Sequence, residues 1–283
     1  MIGQLNIDGK DKVEVALERL RTFEPPEGYY LAFSGGKDSV TVKALADMAG
    51  VKYDAHYRIT TVDPPELVQF VKTFDDVQMD AAHYSDGTRV TMWNLIPKKK
   101  TPPTRLVRYC CKYLKESGGE GRFVITGVRK EESTKRSYRG GLELSEAKTK
   151  RIDSYDPDNP NQELIHICQK MARKYLNPII DWTTEDVWEF IQKYGVKYCK
   201  LYDEGYTRLG CIGCPMASIN ARKKEFKRYP KYKQYYIKAF DKMLQNKKNK
   251  DGFEFESGED VFDWWISEGK FSKRQLSILM RTE

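Results

Sequence analysis

Apolar residues recur along the chain in two alternating patterns. Short and nearly continuous apolar runs are typical of buried strands, and they occur at 29–33 (YYLAF) and 123–128, while 51–61 is a further strand candidate. Apolar residues at helical spacing occupy 11–23, 39–50, 66–74 and 183–195. Strands that alternate with helices predict an α/β fold of three layers, in which a twisted parallel sheet has helices on both faces.

Composition changes twice along the chain. Residues 137–163 are rich in Gly, Ser, Asp, Asn and Pro, which predicts a long loop, one suited to cover an active site. From 221 the chain becomes basic and aromatic, and residues 259–280 have a helical pattern. We therefore expect an α/β domain with an N-terminal helix at 1–216 and a basic, helical C-terminal extension at 217–283.

Overall composition restricts the class of protein. The 283 residues are 40% hydrophobic and 32% charged, which is typical of a globular protein with a core. No run of about 18 apolar residues occurs, so we expect no membrane partner. The N-terminal residues lack an apolar signal region, which favours a cytoplasmic location. The net charge of +8 favours anionic partners such as nucleotides or nucleic acid.

The segment SGGKDS, at 34–39, lies between a predicted strand and a predicted helix. Such a junction favours phosphate, because unpaired backbone N–H groups and the helix dipole both attract an anion. Gly35 and Gly36 let the backbone approach the anion, and Ser34 and Ser39 offer hydroxyls. Lys37 either supplies charge or points to solvent. The simpler alternative is a glycine turn with a serine helix cap.

The hexapeptide is similar to the PP-loop of ATP pyrophosphatases, which cleave ATP between the α- and β-phosphates. Four further segments resemble the phosphoadenosine phosphosulfate (PAPS) reductase family: TTVDPPEL, TGVRKEESTKR, NPIIDWTTEDVWEFI and LYDEGYTRLGCIGCP. The similarity runs from about residue 29 to about residue 216. It implies the adenine nucleotide alpha-hydrolase-like fold and an adenine nucleotide, ATP first of all, bound with Mg²⁺.

The resemblance also implies roles for individual residues. The pyrophosphate would be held by five residues of the loop, Ser34, Gly35, Gly36, Asp38 and Ser39. Asp63 would lie at the edge of the nucleotide, and Gly127 and Arg129 beside the α-phosphate. Arg136 would clamp the leaving anion, since a guanidinium meets two phosphate oxygens at once. Lys37, Asp38, Arg129 and Arg136 are thus the catalytic candidates; the alternative for both arginines is a solvated basic loop.

Four cysteines form two pairs, Cys110–Cys111 and Cys211–Cys214. Four thiolates suit a 4Fe–4S cluster or a tetrahedral zinc ion. The side chains of adjacent residues diverge, so both seldom reach one zinc ion, whereas a cluster presents separate iron atoms to them. The vicinal pair therefore favours the cluster, with Zn²⁺ and buried unliganded thiols as alternatives. A CC pair followed at long range by CxxC resembles the cluster motif of iron–sulfur adenylylsulfate (APS) reductases. This family has an arginine and then a basic residue after the CC pair. Lys115 matches the basic residue, but Leu114 stands where the family has the arginine.

The remaining candidates for chemistry are less specific. Cys168 is expected in a core, and Cys199 is expected to be structural or a sulfur carrier near the site. The three histidines, His56, His83 and His166, show no metal-ligand spacing and are assigned no catalytic role.

The family contains branches with different chemistry. Its reductases usually carry a degraded loop and a tail cysteine that attacks the sulfonate, whereas this chain has the full SGGKDS and no cysteine after Cys214. These features resemble sulfur-transfer enzymes that thiolate tRNA or place sulfur in the DNA backbone. In that scheme ATP adenylates a substrate oxygen, and sulfide or persulfide, supplied through the cluster or a cysteine desulfurase, displaces AMP. The alternatives are an APS/PAPS reductase that releases sulfite with an external thiol, and a non-catalytic module that binds nucleotide and cluster.

Basic segments favour a nucleic-acid substrate, tRNA or DNA. Residues 221–250 hold twelve Lys or Arg against two acidic residues, with four tyrosines between them, and 97–105 (PKKKTPPTR) adds a second basic segment. Cations neutralise phosphates and tyrosines stack on bases. The alternative is a solvated helix face whose tyrosines pack inward.

Overall fold

The computed structural model of the chain describes residues 9–145, 173–246 and 255–267. They divide into two compact units that are discontinuous in sequence. Unit 1 comprises Met1–Tyr57, Glu66–Asp80 and Gly118–Leu209, and unit 2 comprises Arg58–Pro65, Ala81–Ser117 and Gly210–Glu283. The expected division at 216–217 lies close to the last of these boundaries but does not include the two earlier segments of unit 2. It stays a prediction.

Unit 1 is built on a six-stranded sheet in the order β3-β2-β1-β4-β6-β5. The strands are β1 (Tyr29–Ala32), β2 (Tyr53–Arg58), β3 (Val77–Asp80), β4 (Phe123–Ile125), β5 (Leu142–Ser145) and β6 (Arg173–Leu176). β1 pairs in parallel with β2 and β4, and β4 pairs in parallel with β6, whereas β5 is antiparallel to β6. The predicted α/β class with a mostly parallel sheet is confirmed.

The helices of unit 1 are α1 (Lys12–Thr22), α2 (Lys37–Ala49), α3 (Pro65–Val71), α6 (Thr134–Ser137) and α7 (Thr184–Lys193). Capping signals in the sequence mark the ends of three of them, α1, α2 and α7, whereas α3 ends before the predicted residue 74 and α6 was not predicted. Asp11 and Glu14 form a capping box at the start of α1, and Thr183 and Asp186 form one at α7. α2 ends at Gly50 in the left-handed conformation. α2 packs against both α1 and α7, so its first turn has fixed surroundings.

The expected loop at 137–163 is wrong in its first part. Residue 137 ends α6, and Leu142–Ser145 form the antiparallel edge strand β5. The amide of Asn177 donates to the carbonyl of Gly141, and the Asn177 side chain donates to Gly140, so this turn is fixed by the residue that follows β6. The remainder of the predicted loop, together with Cys168 and His166, lies outside the described residues.

Unit 2 is helical. Its helices are α4 (Met92–Lys99), α5 (Tyr109–Leu114), α8 (Ile219–Arg228), α9 (Pro230–Asn246) and α10 (Gly258–Ile266), and α4 and α10 both pack on α9. The core contains Tyr236, Phe240 and Trp265 among other buried residues. The helical C-terminal extension is confirmed as far as it is described. Within the described ranges, no helix has the length and hydrophobicity needed to cross a bilayer.

Candidate functional site

The SGGKDS loop lies where the strand order of the sheet reverses. β1 has β2 on one side and β4 on the other, so the connections that leave β1 and β4 diverge. The loop at 33–36 follows β1, and residues 126–129 follow β4. In open α/β sheets, ligands bind in the crevice beyond the carboxyl ends of two such strands. The topology thus brings two separately predicted motifs to one place.

Hydrogen bonds between its own serines shape the loop. Ser39 Oγ accepts from the backbone N of Ser34 at 3.2 Å and donates to the carbonyl of Gly36 at 2.9 Å. Gly35 has φ +72°, and a Cβ there would lie 2.7 Å from Val71 and 2.8 Å from Leu67. Position 35 therefore requires glycine both for its backbone conformation and for its contact with α3.

The first turn of α2 leaves backbone donors available. Its cap is Gly36, which provides no side-chain acceptor, so the alternative of a serine cap is wrong. Within the part of the chain that the structure describes, the amides of Gly35 and Asp38 have no protein acceptor. The helix is thirteen residues long, and its dipole adds partial positive charge at this end. This arrangement is suited to phosphate oxygens.

Tyr202 also lines the loop, and sequence reasoning did not identify it. Its hydroxyl oxygen accepts a hydrogen bond from the backbone N of Lys37 at 2.9 Å, and its ring contacts Trp188 edge-on at 5.1 Å. Burial raises the pKa of Tyr202, so the hydroxyl keeps its proton. That proton has no acceptor among the described residues. The only sequence signal is its place in the segment LYDEGYTRLGCIGCP.

Asp38 lies between two cations. Lys37 Nζ is 2.9 Å from Asp38 Oδ2, and Arg129 Nε donates to Asp38 Oδ1 at 2.7 Å. The Lys37 side chain is buried, so the alternative in which it points to solvent is wrong. Because both carboxylate oxygens are engaged, Asp38 in this arrangement orients Lys37 and Arg129.

Arg129 joins the loop after β4 to the start of α7. Its guanidinium donates to Glu131 at 2.7 Å, to the carbonyl of Trp182 at 3.3 Å and to Thr184 Oγ1 at 3.3 Å. Glu131 in turn accepts from the first amide of α7, at Thr184, at 2.7 Å. Arg129 is 2% exposed, which excludes the alternative of a solvated basic loop at this position.

Gly127 permits the close approach of the two loops. A Cβ at this position would lie 2.9 Å from the carbonyl carbon of Asp38 and 3.0 Å from its Cβ. Backbone atoms in the first turn of a helix cannot yield as a flexible side chain can. Gly127 is therefore required for steric reasons, whereas its backbone φ is not in the left-handed region.

Arg136 is not in contact with the loop. It forms an ion pair with Glu132, one helical turn earlier, and about a third of its side chain is exposed. Glu132 also accepts from the backbone N of Arg129 at 3.1 Å. Arg136 is thus linked to the site through Glu132, and its expected role as an anion clamp stays a prediction.

The four paired cysteines all belong to unit 2, where they lie close enough to affect one another. The Cys110 thiol donates to Cys111, and this bond, together with burial and the nearby Cys111, Cys211 and Cys214, raises the pKa of Cys110. Hydrogen bonds from Cys110 and Arg108 lower the pKa of Cys111 below its usual value, although burial acts in the opposite direction. Arg108 reaches the Cys111 sulfur at 3.3 Å. Among these thiols the environment favours the thiolate, the form that binds metals, at Cys111, whereas Cys110 keeps its proton.

The CIGC turn is held by buried backbone contacts. The amide of Ile212 donates to Val62 at 2.8 Å, and Tyr236 donates to the Ile212 carbonyl at 3.0 Å. Gly213 has φ +74°, and a Cβ there would lie 2.5 Å from the Phe226 ring. The position of Cys211 and Cys214 is therefore fixed by the core of unit 2.

Asp63 lies beside Cys211 in unit 2. Its Oδ1 is 3.9 Å from the Cys211 sulfur, and its Oδ2 accepts from the amide of Thr60 at 3.1 Å. Burial raises the pKa of Cys211 to about 11, although the Lys115 ammonium acts in the opposite direction. The expected place of Asp63 at the edge of a nucleotide stays a prediction.

The thiols fit an iron–sulfur cluster in donor chemistry, with four sulfurs and two cations in one region. In the described ranges, no group of three or more His, Cys, Asp or Glu residues has the arrangement of a metal site. Cys199 is fully buried, as expected for a structural residue. His56 contacts Asp80 at 2.9 Å and stacks on Tyr30. The cluster, zinc and magnesium predictions thus remain open.

Comparisons with known proteins match most of the chain to one domain family. The model of the phosphoadenosine phosphosulfate reductase domain matches residues 28–217. An uncharacterized protein of Methanocaldococcus jannaschii is 30% identical over 247 residues, which cover 83% of this chain and 50% of that protein. An adenosine 5'-phosphosulfate reductase of Geobacillus thermodenitrificans is 28% identical over 99 residues, 35% of each chain.

The chain spans about half or less of the length of these curated relatives. Among solved structures, PAPS reductase from Candida auris, in a phosphate complex, aligns with a TM-score of 0.47 and 15% identity over 74% of this chain and 96% of that one. The domain match covers well over half of the chain and includes the SGGKDS loop, Gly127 and Arg129. The chain belongs to the phosphoadenosine phosphosulfate reductase domain family.

Proposed function

We propose that the chain is an ATP pyrophosphatase that adenylates a substrate for sulfur transfer. The observation that carries this proposal is the intact loop at 34–39, in which the amides of Gly35 and Asp38 and the proton of Tyr202 remain available to an anion. Intact donors at a strand-to-helix turn suit a polyphosphate chain, which offers many oxygens to backbone N–H groups.

The first chemical step is transfer of AMP. An oxygen of the acceptor attacks the α-phosphorus, the bond between that phosphorus and the bridging oxygen breaks, and pyrophosphate leaves with the electron pair. Charge grows on the departing pyrophosphate, so fixed donors near it lower the barrier. Lys37 and the amides of the loop provide them in this proposal, while Arg129 maintains the loop geometry and lies beside the α-phosphate.

Magnesium would be held mainly by the phosphate oxygens and water, as is usual for this ion. It would offset charge on the departing pyrophosphate. Asp38 is the acidic side chain of the loop, but its oxygens face Lys37 and Arg129. Its role in the proposal is to orient those two cations.

The second step replaces the adenylated oxygen with sulfur. A sulfide attacks the activated centre, and AMP leaves with the oxygen. When a persulfide attacks instead, AMP leaves in the same way and a disulfide forms between the centre and the carrier, which a second thiol then cleaves so that the outer sulfur stays on the substrate. We propose that Cys110, Cys111, Cys211 and Cys214 hold a 4Fe–4S cluster, which would supply a site to bind or pass on sulfide. The support is their common location in unit 2 and the adjacent Arg108, whose charge and hydrogen bond stabilise the Cys111 thiolate. A cysteine desulfurase is the proposed donor, and tRNA or DNA the proposed acceptor class.

Product identification tests the nucleotide part of this proposal. The chain would be purified without oxygen and incubated with Mg²⁺-ATP, a cysteine desulfurase with cysteine, and unfractionated tRNA or DNA. AMP and pyrophosphate in equal amounts support the proposal, and their loss in Asp38→Ala ties them to the loop. Formation of ADP, or AMP production that Asp38→Ala leaves unchanged, contradicts it.

Metal analysis tests the cluster separately. Wild-type protein is expected to contain about four irons and four sulfides per chain, and Cys111→Ser and Cys211→Ser to lose them. Cys199→Ala serves as the matched control, because Cys199 is a buried thiol outside the four. Stoichiometric zinc without iron would identify the zinc alternative, and equal iron in the control and the two Ser variants would contradict the assignment.

An APS or PAPS reductase is the second candidate. The observation in its favour is the similarity to adenosine 5'-phosphosulfate reductases over about a third of the chain. Such an enzyme would release sulfite and an adenosine phosphate when a thiol donor supplies electrons. Incubation with each nucleotide and reduced thioredoxin distinguishes the two, because the sulfur-transfer proposal expects no sulfite.

A further inference from the structure

Charge is distributed unequally between the two units. Among the described residues, unit 1 carries 20 Lys and Arg against 22 Asp and Glu, whereas unit 2 carries 18 against 9. The net positive charge of the described residues therefore resides in unit 2. A field of one sign over one unit favours a polyanionic partner for that unit.

One face of α9 concentrates this charge. Lys231, Lys238 and Lys242 recur with Tyr235 at spacings of four, three and four residues, so their side chains lie along one side of the helix. All four are exposed. The opposite side of α9 packs in the core through Tyr236, Ala239, Phe240 and Met243. The alternative in which the tyrosines pack inward is thus correct for Tyr236 and wrong for Tyr235.

An aromatic pair lies within this basic face. The Tyr235 side chain is 46% exposed, and its ring centroid is 5.4 Å from that of Trp93 on α4. The two planes meet at 59°, and Trp93 is only partly buried. Exposed aromatic rings offer a surface on which an unpaired base can stack. A basic face that served only to keep the helix soluble would not need exposed aromatic rings.

The basic face continues onto α4, which runs beside α9 in the same direction. Trp93, near the start of α4, contacts Tyr235, and the carbonyl of Pro97, near its end, accepts from Asn246 at the end of α9. Lys98, in the last turn of α4, and Lys100, which follows the helix as its C-terminal cap, are exposed. From Lys231 to Lys242 the basic face is about 16 Å long, the length of a few nucleotides.

We propose that this surface, comprising Lys231, Tyr235, Lys238, Lys242 and Trp93, binds single-stranded nucleic acid. Lysines neutralise phosphates without reading sequence, and the aromatic pair takes unpaired bases. None of the three lysines has an acidic partner among the described residues, so the ammonium groups are available. A duplex would hide its bases from Tyr235, and an acidic protein would leave the aromatic pair unused. Binding does not depend on ATP cleavage; only its use in presenting a sulfur acceptor rests on the proposed function.

Binding of labelled 20-nucleotide single strands to the full chain, followed by fluorescence anisotropy across a salt series, tests this proposal. Changing Lys231, Lys238 and Lys242 together to Gln is expected to weaken binding at least tenfold. It should also reduce the slope of log affinity against log salt by about 2, since each phosphate contact contributes about 0.7 for single strands. The matched control changes three exposed lysines of unit 1, Lys52, Lys72 and Lys197, to Gln and should leave affinity within about twofold.

Two further arms test the aromatic part and the class of partner. Tyr235→Ala is expected to weaken binding about tenfold with an unchanged salt slope, and Tyr235→Trp to restore it. A duplex of the same sequence should bind more weakly, and polyglutamate should compete poorly. Equal affinity of the two triple variants, or polyglutamate competing as well as the oligonucleotide, would overturn the proposal. No ATP is present, so these results are independent of any failure of the cleavage assay.

Discussion

Arg129 Nε donates to Asp38 Oδ1 at 2.7 Å, and this bond joins residues that are 91 positions apart in the chain. Asp38 lies in the first turn of the helix that follows β1, and Arg129 lies in the loop that follows β4. The pair therefore links the two loops that flank the crevice, at the point where strand order reverses. We expect it to fix the shape of the phosphate site as well as its charge.

Replacing Arg129 tests whether the guanidinium holds the two loops together. Arg129→Ala leaves Asp38 and Glu131 without their shared partner and should lower the free energy of unfolding by about 3 kcal/mol. Arg129→Lys keeps the charge but cannot span Asp38, Glu131 and Thr184. Its free energy of unfolding should therefore lie between the values of the wild type and of Arg129→Ala. Urea unfolding measures the change in stability, and titration with ATP measures the change in the phosphate site.

The control for this pair of variants is Arg136→Ala. Arg136 pairs with Glu132 on a partly exposed surface, so its loss should cost less than about 1 kcal/mol. If Arg136 clamps the leaving anion, turnover falls while stability is retained. Equal loss of stability in the Arg129 and Arg136 variants would show that the buried pair has no special structural role.

Gly127→Ala places a methyl group against the backbone of Asp38, where the ideal Cβ would be 2.9 Å from a carbonyl carbon. Either the loop or the first turn of α2 must move, which should cost about 1–3 kcal/mol and weaken ATP binding by more than tenfold. Gly141→Ala is the matched control, because its nearest neighbour would be 3.8 Å away. Calorimetric ATP titration would contradict this account if both variants bound alike.

Tyr202→Phe removes only the hydroxyl that accepts from Lys37 N. If the Tyr202 proton is donated to a phosphate oxygen, the loss of one hydrogen bond should weaken ATP binding by about threefold to tenfold. Tyr198→Phe is the control, since its exposed hydroxyl bonds to Asp203 at 2.9 Å. Tighter ATP binding by Tyr202→Phe would mean instead that the phenol blocks the loop.

Much of this site could be predicted from local sequence. Gly35, Ser34 and Ser39 follow an apolar run, and the predicted place of the loop between a strand and a helix is confirmed, while its phosphate-binding role stays a prediction. The two cysteine pairs could be recognised as candidate metal ligands from the chemistry of their thiols alone. The parallel arrangement followed from the alternation of strands and helices.

What could not be predicted depends on contacts distant in sequence. Tyr202 reaches Lys37 across 165 positions, and an isolated tyrosine gives no sign of such a contact. β5 was missed because its four residues follow a Gly-rich turn and are specified by pairing with β6. The grouping of 81–117 with the C-terminal helices is likewise set by burial against α9, which no local pattern encodes.

Asp186 gives unit 1 a defined dependence on pH. The carboxylate is fully buried; burial opposes its charge, but an ion pair with Lys12 and a hydrogen bond from the Thr183 amide outweigh burial and lower its pKa from 3.8. Because the pKa of Asp186 is lower in the folded than in the unfolded protein, its ionised carboxylate stabilises the fold fully at pH values above the unfolded pKa. This stabilisation is lost progressively as the pH falls below about 3.8.

Asp186→Asn should therefore reduce stability at pH 7 by about 2 kcal/mol and flatten the acid side of the stability profile. Asp181→Asn, at a carboxylate that is 44% exposed and paired with Arg19, should change stability by less than about 1 kcal/mol. Thermal unfolding from pH 7 to pH 2.5 measures both variants. An acid limb of the same slope in Asp186→Asn and wild type would show that Lys12 does not stabilise this charge.

The central claim is that the loop at 34–39 holds ATP so that the bond between its α- and β-phosphates is cleaved. The most direct test follows ATP labelled at the α-phosphate, with anaerobically prepared protein, Mg²⁺, a sulfur donor and nucleic acid. We expect labelled AMP, or label transferred to the acceptor, together with one pyrophosphate per event, and neither with Gly127→Ala or Asp38→Ala. Labelled ADP, or AMP formed equally by these variants, would contradict the claim.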